Sequence, residues 1–198
     1  MEAFSDGVFA IAITLLILEI RVPKLEHLTD VALGVALRGL WPSFASYFIS
    51  FFVVLLMWMN HHELLRLVRG VDNPLMLCNG LVLLMVTFVP FPTAVLAQYL
   101  GTPATDTAAA FYCGTFVVIA LTYNALLASV AHNHRLLHGH LESTAILKIR
   151  RTYHFGLAVY ATSTVLCFWN GYAGLGLNVL MLGVWLSLRY QEPVSSSK

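Results

Sequence analysis

The polar side chains able to do chemistry are few in this chain, and most sit at the ends of long hydrocarbon runs. Ser5-Asp6-Gly7 heads the apolar run Val8 to Leu18, and His61-His62 follows Trp58-Met59-Asn60 at the close of another. A third group, His132, His134, His138 and His140, lies with Arg135 and Gly139. Imidazoles beside a carboxylate can relay protons, and imidazole nitrogens can hold haem or a metal. Two readings therefore stand from these residues: a histidine-bearing membrane redox or metal enzyme, and a proton-coupled transporter using Asp6 and the histidines. Against the metal reading, neither Cys nor carboxylate completes a usual zinc spacing around His132–His140, which reads as a polar connection. Nucleophile–base pairs, phosphate loops and strand–helix cofactor motifs are missing, so the expectation is a protein that is not an enzyme and needs no cofactor or metal. A net charge of +1 offers nothing to nucleic acid.

The elements that position these residues follow from composition. Hydrophobic residues make up 59% of the 198, only 11% are charged, and mean hydropathy is +0.77. A soluble domain carries about 25% charged residues. The chain is integral to a membrane, and glycine and proline inside its apolar runs favour helices over a barrel. Six runs are long enough to span: 4–22, 40–60, 75–100, 105–131, 152–169 and 172–188. The stretch 31–39 is apolar apart from Arg38 and predicts an early start to the second helix, bent at Pro42. Pro90 and Pro92 predict a kink in the third, where freed carbonyls could also meet ions.

Orientation follows from the positive residues. With both termini cytoplasmic, Arg66, Arg69, Arg135, Lys148, Arg150, Arg151, Arg189 and Lys198 lie inside and Arg21, Lys24 and Arg38 outside, eight against three. The first run carries Glu2 and Asp6 and is too extended for a cleaved signal, so it reads as a permanent span. No linker divides residues 1–198, which read as one domain with Ser195–Lys198 as a tail. Cys78, Cys113 and Cys167 read as small buried residues, and Trp41, Trp169, Trp185, Tyr99, Tyr172 and Tyr190 as an aromatic belt.

On the first helix, ~100° per residue gathers Ile11, Leu15 and Leu18 into one stripe, with Phe4, Gly7 and Thr14 on or beside it. Asp6 falls opposite, and a carboxylate near the membrane is costly unless it faces protein or water. By pattern alone two readings remain. Ser5 and Asp6 could simply cap the helix while the stripe packs on a neighbour. Alternatively, copies around an axis would line a path with apolar rings and one threonine ring, and apolar rings gate ions by dewetting.

The string Phe4-Ser5-Asp6-Gly7-Val8-Phe9-Ala10-Ile11-Ala12-Ile13-Thr14-Leu15-Leu16-Ile17-Leu18-Glu19-Ile20 resembles the first-helix signature of prokaryotic members of the transmembrane protein 175 family. These are potassium channels with lysosomal animal relatives. Trp58-Met59-Asn60-His61-His62 and Asn79 through Phe88-Val89-Pro90-Phe91-Pro92-Thr93-Ala94 resemble the same family. The resemblance implies a homotetramer of six-helix subunits in a prokaryotic plasma membrane, with lipid, potassium ions and other copies of itself as partners. The first helix would line the pore without a Thr-Val-Gly-Tyr-Gly filter. It implies that Ile11 forms the narrowest constriction, Leu15 and Leu18 further apolar layers, and Thr14 a layer bearing on selectivity. It further implies that His61 and His62 tie to Ser5 and Asp6, with Phe4, Trp58, Asn60 and Asn79 in the network supporting the pore helix. The family's arginine, four residues before the Phe, would precede Met1, and the expectation is that the sequence starts one residue after it.

Overall fold

Proline and glycine punctuate the apolar runs and divide them into helices whose ends differ from the ends of the hydrophobic stretches. The computed structural model describes residues 1–66, 68, 70–132 and 143–187. Among these, helices run over Glu2–Leu15 (α1), Asp30–Gly39 (α2), Trp41–Arg66 (α3), Asn73–Phe88 (α4), Pro90–Tyr99 (α5), Thr105–His132 (α6), Ser143–Cys167 (α7) and Gly171–Ser187 (α8). A tight 3-10 turn, Leu16–Glu19, extends α1. Arg69, Arg135, His134, His138, His140, Arg189, Tyr190 and the Ser195–Lys198 tail lie outside the described residues.

Among the described residues, three helical stretches are long and apolar enough to cross a bilayer: Trp41–Arg66, Asn73–Tyr99 and Thr105–Ala131, of 26, 27 and 27 residues. The chain is a multi-pass helical membrane protein. α1 with its 3-10 turn covers roughly 29 Å before Ile20 turns extended, so the first run ends short of Val22. Between α2 and α3 the chain breaks at Leu40, because Pro42 has no N–H to offer the Arg38 carbonyl and its ring would crowd that oxygen. The predicted early start with a bend is thus a separate helix. Asn73–Tyr99 stays continuous, but its hydrogen-bond ladder is interrupted at Val89, since Pro90 cannot bond the Val86 carbonyl; Val89 N–H donates to it instead, at 3.2 Å. α3 and α7 outrun their predicted spans by whole turns, because a helix persists beyond the apolar layer wherever its polar end meets water.

The long elements alternate in direction, α4 and α5 running on as one. The start of α1 meets the end of α3 and the start of α4, and the far end holds the end of α5 and the starts of α6 and α8. Gly101 makes the turn into α6 at φ +86°, a left-handed conformation that costs glycine little, and its N–H donates to Thr105 Oγ1. α6 is the central post, packed on α4, α5, α7 and α8, with Tyr112 and Phe116 buried along it. Polar links cross the interior: Ser50 Oγ lies 2.7 Å from Thr93 Oγ1 and 3.0 Å from Tyr112 Oη, joining α3, α5 and α6. Trp185, expected in the aromatic belt, instead donates to Tyr160 Oη at 2.8 Å and packs on Tyr153.

α7 and α8 touch backbone to backbone at Gly174, where an added Cβ would overlap Cys167 Sγ and lie 2.7 Å from the Ser163 carbonyl. Gly174→Ala should therefore destabilise the protein by about 1–3 kcal/mol, the usual range for overpacking. Gly176→Ala, which meets open space, should not; thermal unfolding of the two variants in detergent compares them.

Candidate functional site

The two faces of α1 have opposite chemistry. Ser5, Phe9, Ala12 and Leu16, spaced at three and four residues, are buried against the bundle. α1 starts at Glu2 with no side-chain cap, so Ser5 and Asp6 sit inside the helix and do not cap it. Their side chains go to other elements instead.

Asn79 of α4 organises the deepest of these contacts. Its Nδ2 donates to Ser5 Oγ at 3.2 Å, which leaves its Oδ1 to accept from His61 Nε2 of α3 at 2.7 Å. Because Oδ1 can only accept, His61 Nε2 carries the proton. Ser5 Oγ in turn donates to the Met1 carbonyl at 3.2 Å. Three hydrogen bonds thus run in one direction through Ser5, His61 and Asn79, all buried. Burying such groups without partners is expensive, so α1, α3 and α4 are tied as a unit. Phe9 and Tyr123 pack their rings against His61, at centroid distances of 5.1 and 6.2 Å.

Asp6 is held separately. Trp58 Nε1 donates to Asp6 Oδ1 at 2.7 Å, a short bond to a charged acceptor. His62 Nδ1 stands 3.6 Å from Asp6 Oδ1 and 3.3 Å from Glu2 Oε1. The sequence-predicted residues Ser5, Asp6, Trp58, His61, His62 and Asn79 are therefore brought together.

Two are not. Asn60 bonds back to the Leu56 carbonyl of its own helix and lines an apolar cavity of about 40 Å³. Phe4 is 70% exposed and lies on the opposite side of α1. Glu2 and Phe9 escaped sequence reading, although the four-residue spacings Glu2–Asp6 and Ser5–Phe9 were there to be read.

Among the described residues, nothing covers the other face of α1. Ile11, Leu15 and Leu18 are 60%, 41% and 66% exposed, and Gly7 and Thr14 are exposed between them. Thr14 Oγ1 donates its proton to the Ile11 carbonyl at 2.8 Å, so the hydroxyl offers oxygen lone pairs outward. A uniform apolar stripe is thus interrupted by one hydroxyl oxygen.

Comparison with known proteins gives the family. A family described as "Endosomal/lysosomal potassium channel TMEM175" matches residues 1–90. A protein of Chamaesiphon minutus, named as a potassium channel, is 42% identical over 96% of this chain and 93% of its own length. The chain belongs to the TMEM175 family. A Streptomyces collinus relative, also named as a potassium channel, is 43% identical over 85% of this chain and 81% of its own. The crystal structure of a lysosomal potassium-selective channel TMEM175 homolog from Chamaesiphon minutus superimposes with a TM-score of 0.84 at 40% identity, covering 93% of this chain and 94% of that one. These TMEM175 relatives are named as ion channels and not as enzymes.

Asn79→Leu leaves the buried His61 Nε2–H unpaired, which costs about 1–3 kcal/mol, and removes the donor to Ser5 Oγ. A clear drop in thermal stability is expected, whereas Gly80→Ala, at a position where an added Cβ meets nothing within 4 Å, should shift stability by no more than about 0.5 kcal/mol.

Proposed function

We propose that this chain is the subunit of a potassium channel, with four copies around an axis lined by the free face of α1. The single observation that supports this most is the division of α1: one face is committed to Ser5, Phe9, Ala12 and Leu16, while Ile11, Thr14, Leu15 and Leu18 remain uncovered. The names of its relatives supply the ion.

Each subunit would cross the plasma membrane of a prokaryote six times, over about 4–22, 40–60, 75–100, 105–131, 152–169 and 172–188, as one domain over 1–198. Both termini would be cytoplasmic. Rings of Ile11, Leu15 and Leu18 would narrow the path and close it by dewetting, with Ile11 the tightest. The four Thr14 oxygens would replace part of the hydration shell of the passing ion, and no Thr-Val-Gly-Tyr-Gly filter is needed. The Ser5–Asn79–His61 and Asp6–Trp58–His62 contacts would hold α1 at the angle that presents this face. No cofactor takes part; potassium is the permeant species.

Reconstitution into potassium-loaded liposomes tests the proposal. Potassium efflux above protein-free vesicles is expected, and Ile11→Asn, which wets the constriction, should raise it about tenfold if it removes about 1.4 kcal/mol of barrier. Thr14→Val should bring potassium and sodium permeabilities closer together. Absence of flux, or flux that ignores Ile11→Asn, would overturn the assignment.

A further inference from the structure

Glu2, Asp6 and His62 bring two carboxylates and an imidazole nitrogen within 4.8 Å of one another where the start of α1 meets the end of α3. Glu2 and Asp6 are one helical turn apart, so their like charges repel unless something positive lies between them. His62 Nδ1 is at the right place, 3.3 Å from Glu2 Oε1 and 3.6 Å from Asp6 Oδ1. Yet that nitrogen is shielded from solvent and makes no hydrogen bond. Its spacing suits shared coordination better than a direct bond. Ligands about 2.0–2.1 Å from a tetrahedral zinc ion are separated by roughly 3.3 Å, close to both distances.

The surroundings fit as well. Trp58 Nε1–H donates to Asp6 Oδ1 and fixes that carboxylate, as outer-shell hydrogen bonds fix ligating carboxylates. The neighbouring cation Arg66 pairs with Glu63, 3.5 Å away. The three side chains keep between a third and a half of their surface exposed, which gives an ion a route in and leaves room for water to complete the shell. The imidazole favours zinc-like ions over magnesium and calcium, which prefer oxygen ligands.

We propose that Glu2, Asp6 and His62 form a binding site for a divalent transition-metal ion that clamps the first turn of α1 to the end of α3. On the channel reading above, which this consequence alone requires, a bound ion restrains the pore helix and slows potassium flux from the side that carries the α1 N-terminus.

Calorimetric titration with zinc chloride tests the site on tag-free, chelator-stripped full-length protein. His132, His134, His138 and His140 are replaced by alanine in every sample to silence that segment. One ion per chain is expected, with affinity at least about tenfold weaker in Glu2→Gln and in His62→Gln, and little competition from magnesium or calcium. Both variants should elute in detergent as the parent does. No binding, equal binding in both variants, or equal displacement by calcium would overturn the site. In liposomes, zinc should slow efflux for the parent and not for Glu2→Gln. Unchanged efflux at saturating zinc would overturn the clamp, while a parent without flux would overturn the channel reading and leave calorimetry to decide the site.

Discussion

The hydrogen-bonded chain from His61 through Asn79 to Ser5 sets the rotation of the first helix, and most of the arrangement around the candidate site depends on it. All three side chains are buried, and each would lose about 1–3 kcal/mol if its partner were taken away. Turning α1 by a single residue, about 100°, would break the Asn79–Ser5 bond and drive Asp6 away from Trp58. Because the polar contacts have one satisfactory geometry, the apolar stripe on the far side has one direction as well. The Phe9 ring against His61 adds a steric stop to the same rotation.

The bundle behind α1 is stiffened in the same manner. Ser50, Thr93 and Tyr112 join three elements through one buried hydroxyl cluster. His154 Nδ1 lies 2.7 Å from Asn124 Oδ1, linking α7 to α6. Ser163 donates to the Gly174 carbonyl, and Asp106 accepts from the Gly171 N–H at the start of α8. In a lipid medium apolar surfaces gain little from facing each other instead of acyl chains, so close packing and such polar ties carry the specificity of assembly. Small residues permit the approach, as at Gly174, and α6 provides the post to which the ties run.

Much of this was legible residue by residue. Hydropathy marked the apolar layers of α3, α4–α5 and α6, because a helix in lipid needs about twenty apolar residues. The prolines announced both backbone interruptions, though not that Leu40 would separate two helices while Val89 would only interrupt the hydrogen-bond ladder of one. That difference depends on which carbonyls find other donors. Helix ends beyond the apolar layer, as in α3 past Asn60 and α7 before Thr152, were not legible, since water and headgroups impose no hydropathy signal. Asn60 and Asn79 look alike in sequence, yet one turns back to its own helix and the other bridges three.

By itself the sequence determined that the chain is a helical membrane protein, that α1 has a periodic apolar stripe opposite Asp6, and that its motifs resemble those of the TMEM175 family. Side-chain period and transfer free energy are local properties, so they can be read without neighbours. Only the tertiary structure decided which polar groups meet. It drew Ser5 to Asn79, Asp6 to Trp58 and Glu2 to His62, left Phe4 outside, and kept Ile11, Thr14, Leu15 and Leu18 uncovered. Those outcomes depend on residues up to 74 positions apart finding one another, and directional hydrogen bonds across such separations are settled by packing and not by pattern.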